Sequence, residues 1–292
     1  MIELKENICR FKRKLKYLDL RSYSTYRLPD SILLKYWDFE NNWGDFVSPY
    51  IIEKITGRKA VSSNLIFNYL HKSELLACGS IIVGDVSNYV IWGSGVLSER
   101  TTIINKPRRV LALRGLNSLK KIQKVGADCD VFGDPVLLFP DIFSPVGITK
   151  KYKYGIVPHY KDKTSLAIRK IIELNDPSIK IIDVQTGIED FVKEVLSCEN
   201  ILSSSLHGLI LAEAFGIPTC RLILSKDILG GDFKFYDYYS GVGIKKIDSV
   251  LIDDDISNLK VAFAKCSLKD LDFKKNELKS VLIEYMNKDR NK

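Results

Sequence analysis

The sequence has no long apolar segment of the kind that spans a membrane or directs secretion. A transmembrane helix needs about 20 consecutive apolar residues, and no run approaching this length occurs among the 292 residues. The N-terminal stretch from Met1 to Glu6 also lacks the apolar core of a secretory signal. We therefore expect a soluble, cytoplasmic protein.

The sequence also lacks paired cysteines, internal repeats and low-complexity tracts. No C-x-x-C pair occurs, and the six thiols are spread along the chain. They are Cys9, Cys78, Cys129, Cys198, Cys220 and Cys266. Scattered cysteines indicate neither a zinc site nor a disulfide framework, and they are typical of reduced cytoplasmic proteins. We expect no metal and no cofactor.

The net charge of +8 suits an anionic partner, which could be nucleic acid, a substrate or a membrane surface. No nucleic-acid-binding motif is present, so we do not expect nucleic acid. The densest basic run, Arg10 to Lys16, has Phe11 and Leu15 between its cations. The favoured interpretation is a solvated helix face. Peripheral contact with the inner face of the membrane is the alternative.

Apolar runs of strand length alternate with segments of helix length over most of the chain. This alternation predicts an α/β protein with two Rossmann-like parallel-sheet domains facing one cleft. The loose, proline-containing stretch around residues 140–152 separates the two halves. We place an N-terminal domain at residues 1–145, a second domain at 146–255, and a helical segment that packs across both at 256–292.

Polar turns follow several predicted strands, and the carboxyl ends of parallel strands commonly bind ligands. The strand at Val90–Trp92 runs into a Gly/Ser turn, and a strand predicted over Cys129–Asp134 ends in a tight turn. No complete G-x-G-x-x-G occurs, so a dinucleotide is only weakly indicated. Arg114, which ends another strand, suits either a bidentate grip on a carboxylate or phosphate or a surface salt bridge.

The segment from Asn42 to Asp45 predicts a turn before a helix that extends to about Ile55. Asp45 there either faces a cleft or simply caps the helix, and the local pattern does not decide between them. The aromatic segment from Phe233 to Ser240 is interpreted as a lid or a saccharide-stacking surface, with a buried strand as the alternative.

The segment from Asn200 to Pro218 predicts a strand, a serine corner and a helix from about Leu206 to Phe215. A helix N-terminus directly after a strand aims free N–H groups and a positive dipole end at one point, which suits an anion such as phosphate. His207, in the first turn, would donate to that anion or move a proton. The alternative is that the serines are only a cap and His207 only a polar first-turn residue.

Six motifs occur in the order seen in polysaccharide pyruvyltransferases, and through them the chain resembles that family over Trp37 to Gly243. They are Asn42-Trp43-Gly44-Asp45, Trp92-Gly93-Ser94-Gly95, Leu113-Arg114-Gly115, Phe132-Gly133-Asp134-Pro135, Val157-Pro158-His159-Tyr160 and the segment from Ser203 to Gly208. The resemblance implies a fold like that of the B-type glycosyltransferases. It also implies transfer of the enolpyruvyl group of phosphoenolpyruvate to two hydroxyls of a sugar, with phosphate release, in the biosynthesis of bacterial exopolysaccharide or capsule.

The chain departs from the family pattern at two positions. Many members have an arginine that contacts phosphoenolpyruvate where this chain has Ser205, and many have Arg-Asp where this chain has Arg114 followed by Gly115. The Ser-Ser-Leu-His form, together with the Phe-Lys-Phe stretch, resembles a subgroup associated with ketal pyruvylation of exopolysaccharides.

The reaction implied by the resemblance assigns roles to particular residues. We expect His207 to be the acid and Asp45 the base, with Glu213 as a further catalytic candidate because a carboxylate on an apolar helix face needs a partner or a ligand. Lys234 is predicted to replace the cation missing at Ser205. The other expected binding residues are Asn42, Gly93, Ser94, Arg114, Asp134, His159, Ser205, Leu206 and Gly208.

The acceptor would be a sugar, and the sequence leaves open whether it is nucleotide-linked, lipid-linked or polymeric. Two competing functions also remain open at this stage. One is a glycosyltransferase that uses a nucleotide sugar, and the other is a non-catalytic scaffold of polysaccharide assembly.

Overall fold

The structure, a computed structural model, describes residues 30–38, 41–65, 73–225 and 230–290. The basic run from Arg10 to Lys16 lies outside the described residues, so both interpretations of it stay predictions. No helix within the described ranges is long and apolar enough to cross a bilayer.

The first sheet has five parallel strands in the order β2-β1-β3-β4-β5. Its members are β1 (Ile32–Lys35), β2 (Ala60–Ser62), β3 (Glu74–Leu76), β4 (Tyr89–Trp92) and β5 (Arg109–Ala112). Apolar side chains such as Leu34, Leu76 and Ile91 are fully buried in this sheet. Burial on both faces explains why the strands read as short continuous apolar runs.

The second sheet is also parallel and has the order β10-β9-β8-β6-β7. Its members are β6 (Tyr152–Val157), β7 (Ile179–Ile181), β8 (Cys198–Ser203), β9 (Thr219–Ile223) and β10 (Ser249–Leu251). Numbered within each sheet, both have the strand order 2-1-3-4-5. The expected α/β fold with two Rossmann-like sheets is confirmed, and the division at residues 145 and 146, which stays a prediction, lies between the two sheets.

Helices connect the strands of both sheets. In the described ranges they are α1 (Trp43–Thr56), α2 (Leu116–Gln123), α3 (Phe139–Ile142), α4 (Leu166–Glu173), α5 (Ile188–Leu196), α6 (Leu206–Ala214), α7 (Phe233–Gly241), α8 (Leu259–Ala264) and α9 (Lys275–Arg290), with 3-10 turns at Ser63–Leu65 and Pro135–Leu138. The sequence explains several of their ends. Gly57 adopts the left-handed conformation (φ 67°) and its N–H closes α1 on the Glu53 carbonyl, while Ser165 Oγ caps α4.

The two sheets share one continuous apolar core. Trp43, on α1 of the first half, packs 5.0 Å from the Phe191 ring of α5, and its indole N–H donates to the Ile188 carbonyl at 3.0 Å. Helix α9 follows the second sheet in sequence but packs on the first. The Trp92 indole N–H donates to the Leu278 carbonyl at 2.7 Å.

Three local predictions were wrong. Residues 129–135 form only an isolated bridge between Leu113 and Phe132 and then a 3-10 turn capped by Asp134. The predicted turn at Asn42 to Asp45 is already helical from Trp43. The aromatic segment from Phe233 is neither a lid nor a strand, because α7 buries Phe235, Tyr238 and Tyr239 in the core.

Candidate active site

A cleft of about 360 Å³ opens where the topological switch points of the two sheets face each other. In a sheet of order 2-1-3-4-5, the chain leaves strands 1 and 3 in opposite directions, and the crevice at their carboxyl ends is the usual ligand site. The first sheet contributes Lys35 at the end of β1, Tyr36 and Trp37 directly after it, and Gly79 to Ile81 after β3. The second contributes His159 after β6 and Ser205 after β8. The cleft therefore lies where both domains of this topology bind ligands.

Seven of the residues predicted from the sequence line this cleft. They are Asn42, Asp45, His159, Ser205, Leu206, His207 and Lys234. These residues are up to 192 positions apart in the chain (234 minus 42), and the fold brings them to one site. Asp134 lies directly behind His207. The other predicted residues, Gly93, Ser94, Arg114, Gly208 and Glu213, do not line the cleft.

The serine corner between β8 and α6 is fixed from behind by hydrogen bonds. Ser203 Oγ accepts the Ser205 N–H at 3.0 Å, and Ser204 Oγ donates to Asp162 at 2.6 Å while accepting the His159 N–H at 2.9 Å. Ser205 precedes the first helical residue, but its side chain makes no cap hydrogen bond. The first N–H groups of α6 have no intrahelical acceptor, so they are available to an anion in the cleft.

His207 stands in the first turn of α6 with its imidazole at the cleft wall. Its Nε2 lies 3.5 Å from Asp134 Oδ2, and the Asp134 side chain is completely buried. Asp134 is itself held by the Val136 N–H, which donates to Oδ1 at 3.0 Å. The structure thus places the two residues together.

Asp45 lies in the first turn of α1 and lines the same cleft. Asn42 Nδ2 donates to Asp45 Oδ2 at 2.8 Å, so the amide holds the carboxylate and does not cap the helix. Burial raises the pKa of Asp45, while the Asn42 hydrogen bond and the nearby His207 and Lys234 lower it. A carboxylate with a raised pKa is suited to exchanging protons.

Lys234 projects from α7 into the cleft with 9% of its surface exposed. Burial, followed by repulsion from Arg114, lowers its pKa to about 8. The side chain is therefore a cation in the cleft below that pH. Its pKa would rise again when an anion binds, because an opposite charge favours the protonated form.

His159 is the second cleft histidine, and its ring packs 4.4 Å from that of Tyr160. Burial lowers the pKa of His159 to about 3, and the charges of Lys234, Lys161 and His207 act in the same direction. The imidazole is consequently neutral at physiological pH, which suits a hydrogen-bonding role toward substrate.

Arg114 is not available to a ligand, contrary to the prediction from its position at a strand end. Its side chain is fully buried, and Nε pairs with Asp237 at 3.0 Å. One terminal nitrogen donates to the Val96 carbonyl at 2.9 Å and the other to Ser80 Oγ at 2.6 Å. Arg114 therefore supports the cleft wall at Ser80 from behind and joins β5 to α7.

Glu213 has protein partners and does not face the cleft. Its carboxylate accepts hydrogen bonds from the hydroxyls of Thr219 (2.7 Å), Tyr238 (2.8 Å) and Tyr239 (2.7 Å). These three hydroxyls are the hydrogen-bond donors that a buried carboxylate requires. The geometry gives Glu213 a structural position, and we do not retain it as a catalytic candidate.

The three small residues outside the cleft shape it indirectly. Gly93 (φ 82°) packs against Pro135, and Ser94 Oγ donates to the Gly79 carbonyl at 2.9 Å, which fixes the turn after β3. A side chain at Gly208 would collide with Ser203 and Val157, so this glycine permits close packing of α6 on the sheet.

Sequence reasoning missed the aromatic side of the cleft. The additional lining residues that carry rings are Tyr36, Trp37, Tyr89 and Tyr160. Tyr36 and Trp37 follow directly after β1, a strand that comes after the basic N-terminal segment in sequence and that the sequence analysis does not predict. The available signal was the apolar run Ile32-Leu33-Leu34 before them. Among the described residues, no group of three or more His, Cys, Asp or Glu side chains is arranged to hold a metal ion.

Comparison with known proteins agrees with this geometry. The family described as "Polysaccharide pyruvyl transferase" matches residues 7–225. The chain is 31% identical over 231 residues to the "Uncharacterized protein L143" of Acanthamoeba polyphaga mimivirus, covering 77% of this chain and 78% of that protein. It is 30% identical over 114 residues to the "Succinoglycan biosynthesis protein ExoV" of Rhizobium meliloti (strain 1021), covering 38% of this chain and 34% of that protein. The chain therefore belongs to the polysaccharide pyruvyl transferase family, whose reaction is pyruvyl transfer in polysaccharide biosynthesis.

Proposed function

We propose that this protein transfers the enolpyruvyl group of phosphoenolpyruvate to two hydroxyls of a sugar and releases phosphate, forming a cyclic pyruvate ketal. One observation carries the proposal. The N-terminus of α6, the cation of Lys234, and the His207 and Asp45 side chains all face one cleft. The first two suit a polyanionic donor, and the last two suit proton transfer.

The donor carries a phosphate and a carboxylate, which need positive partners once they leave water. Free N–H groups at the start of α6 would bind one anionic group. Lys234, across the cleft, would bind the other and would supply the charge that Ser205 lacks. Two lysines, Lys35 and Lys234, line the cleft. Arg114 is committed to Asp237, and Lys35 Nζ donates to Asn64 Oδ1 at 3.3 Å, so the assignment rests on Lys234.

The proposed reaction balances without a cofactor. His207 protonates the methylene carbon of the donor, and the cationic carbon that results is attacked by the first sugar hydroxyl, whose proton passes to Asp45. Phosphate then leaves with its bridging oxygen, and the second hydroxyl attacks the same carbon. Of the two hydroxyl protons, one replaces the proton that His207 gave to the new methyl group and the other leaves on phosphate.

The acceptor is proposed to lie on the first-domain side of the cleft, against Tyr36, Trp37 and Tyr89. Aromatic faces bind the apolar C–H face of a sugar ring, while Asn64, on the same wall, would hydrogen-bond its hydroxyls. The proposal leaves the acceptor as a sugar with two suitably placed hydroxyls, in the cytoplasm or at the inner face of the membrane.

The deciding experiment measures phosphate release from phosphoenolpyruvate with and without a panel of oligosaccharide acceptors. Release that depends on an acceptor, with the ketal methyl group detected in the product by NMR, supports the proposal. Release of a nucleotide from UDP- or GDP-sugars instead identifies a glycosyltransferase. Binding of an acceptor without turnover of either donor identifies a scaffold. A parallel thermal-shift assay tests whether phosphoenolpyruvate stabilises the folded state, as a bound ligand must.

A further inference from the structure

Two buried polar atoms behind the cleft face each other, and neither makes a hydrogen bond within the described residues. They are Nε2 of His207 and Oδ2 of Asp134, which lie 3.5 Å apart. Leaving a buried donor and a buried acceptor unsatisfied destabilises the folded state. One of these atoms can donate and the other can only accept, so each is the natural partner of the other.

The imidazole has little freedom to choose another orientation. The ring lies against the backbone of Gly44, where an added Cβ would overlap Nδ1, Cγ and Cε1. Asp134 is equally fixed, because its Oδ1 already accepts the Val136 N–H at 3.0 Å. Burial, and then the charge of Asp134, raise the pKa of the nearby Cys78 thiol well above its usual range, so the thiol stays protonated and can itself donate a hydrogen bond to this carboxylate.

The ring nitrogens are therefore in different surroundings. Nε2 is enclosed by protein, whereas the side chain as a whole lines the cleft with 11% of its surface exposed. The exposed part of the ring is thus not Nε2. Of the two ring nitrogens, Nδ1, which lies beside Gly44, is therefore the one left for a substrate in the cleft.

We propose that Asp134 is a positioning residue that holds the proton on Nε2 of His207 and so makes Nδ1 the nitrogen that exchanges a proton with the substrate. The use of that proton rests on the proposed function, in which Nδ1–H protonates the donor's methylene carbon. After this transfer His207 is neutral, and its remaining proton stays on Nε2 and points at the Asp134 carboxylate.

The first test reads the tautomer directly and needs no substrate. The chain contains only three histidines, so the protein labelled with ¹⁵N-histidine gives an interpretable long-range ¹⁵N–¹H spectrum, and His207→Gln assigns the signals. Neutral His207 is expected to carry its proton on Nε2. A proton on Nδ1 would overturn the proposal.

The second test uses Asp134→Asn, which keeps an oxygen for the Val136 N–H but presents an amide, and no longer a carboxylate, to Nε2. We expect loss of the tautomer preference and a fall in kcat of about 10²-fold, the scale of one acid–base group, with the KM for phosphoenolpyruvate unchanged. A raised KM at unchanged kcat would show that Asp134 contacts the donor, and the proposal would fail.

The two tests also separate this inference from the proposed function. The spectrum is recorded without donor or acceptor, so it reports on the pair even if phosphoenolpyruvate is not the substrate. If phosphoenolpyruvate is not the substrate, the proposed reaction is wrong, but a spectrum with the proton on Nε2 still supports the pairing of His207 with Asp134. If Asp134→Asn does not fold, the spectrum of the unmodified protein alone decides the inference.

Discussion

Gly44 of the first domain and His207 of the second meet at the cleft, where the glycine backbone lies against the imidazole ring. Any side chain at position 44 would occupy the space of the ring. The absence of a side chain on one domain therefore sets the position of a candidate catalytic group on the other. In the Asn-Trp-Gly-Asp motif, Gly44 therefore leaves room for the His207 ring, and Asp45 supplies a carboxylate to the cleft.

Gly44→Ala should impair catalysis without unfolding α1. Alanine stabilises a helix by about 1 kcal/mol relative to glycine, but its methyl group must displace the His207 ring. We expect helix content to be retained and kcat to fall by about 10²-fold, as for loss of an acid–base group. The matched comparison is thermal stability in the His207→Ala background. In the His207→Ala background, Gly44→Ala should leave thermal stability unchanged or raise it. Equal effects of Gly44→Ala on thermal stability in both backgrounds would show that Gly44 and His207 are not in contact.

His207→Ala should lower kcat by about 10²-fold or more, the usual scale for a general acid, with little change in the KM for phosphoenolpyruvate. Steady-state phosphate release measures both parameters. His159→Ala is the matched variant, because that neutral ring lines the same cleft and is expected to affect KM instead. If His207→Ala changes only KM, His207 is a binding group.

Lys234→Ala should weaken phosphoenolpyruvate binding by roughly 2–3 kcal/mol, the scale for losing a hydrogen bond to a charged group. Adding Ser205→Arg to that variant should restore part of the loss, because the new guanidinium would stand at the start of α6 near the same anion. Calorimetric titration measures both affinities. Unchanged affinity in Lys234→Ala would rule out the assignment.

Donor affinity should fall as the pH rises through about 8, where burial places the pKa of Lys234. Below that pH the ammonium group attracts the donor, and above it the neutral amine does not. The stability of the ligand-free protein, by contrast, should rise with pH over the range in which Lys234 loses its proton. Folding lowers this pKa from 10.5, so the folded state binds fewer protons than the unfolded state, and stability gains from this group as the pH rises from about 8 to 10.5.

The variant Lys234→Met separates the two effects. It removes the buried charge, so the ligand-free protein should melt a few degrees higher at pH 7, while donor binding should weaken as it does in Lys234→Ala. This is the trade of stability for function expected of a strained site. Melting curves with and without phosphoenolpyruvate provide the measurement, and a lower melting temperature in the ligand-free variant would contradict the charge cost.

Asp237→Asn should destabilise the fold by about 3–5 kcal/mol, because it leaves the fully buried Arg114 without a counter-charge. Asp237 also accepts the N–H and hydroxyl of Ser118 at 2.7 and 2.6 Å. Asp190→Asn is the control, since its pair with Lys193 is exposed and should contribute less than about 1 kcal/mol. Urea unfolding compares the two, and similar losses would show that the buried pair is not special.

The order of strands and helices was largely predictable because buried parallel strands are apolar runs followed by polar turns. The sequence located the serine corner, His207 and Asp45 because each follows such a turn or begins a helix. The strand predicted near Cys129 failed because only Phe132 finds a partner beyond β5. The buried rings of the aromatic segment, Phe235, Tyr238 and Tyr239, follow the i, i+3, i+4 spacing of one helix face, but the exposed Tyr236 between them hides that pattern in the sequence.

The partners of buried charges could not be predicted, because the fold determines them. Arg114 pairs with Asp237, 123 positions later, and Glu213 is matched by two tyrosines from α7. Both side chains sit at positions that suit a ligand equally well. Only the three-dimensional structure shows that neighbouring side chains already pair with Arg114 and Glu213, whereas His207 and Lys234 line the cleft.

The position of helix α9 determines when the first sheet can complete its packing during synthesis. Leu278, Leu282 and Met286 belong to the same core as Trp92 and Val47, which precede Leu278 by 186 and 231 residues (278 minus 92 and 278 minus 47). The first sheet therefore cannot complete its packing as an independent unit on the ribosome, in contrast to domains that fold in sequence from the N-terminus. The part of the cleft that this sheet forms is assembled only after the second sheet, and the chain beyond it, has been translated.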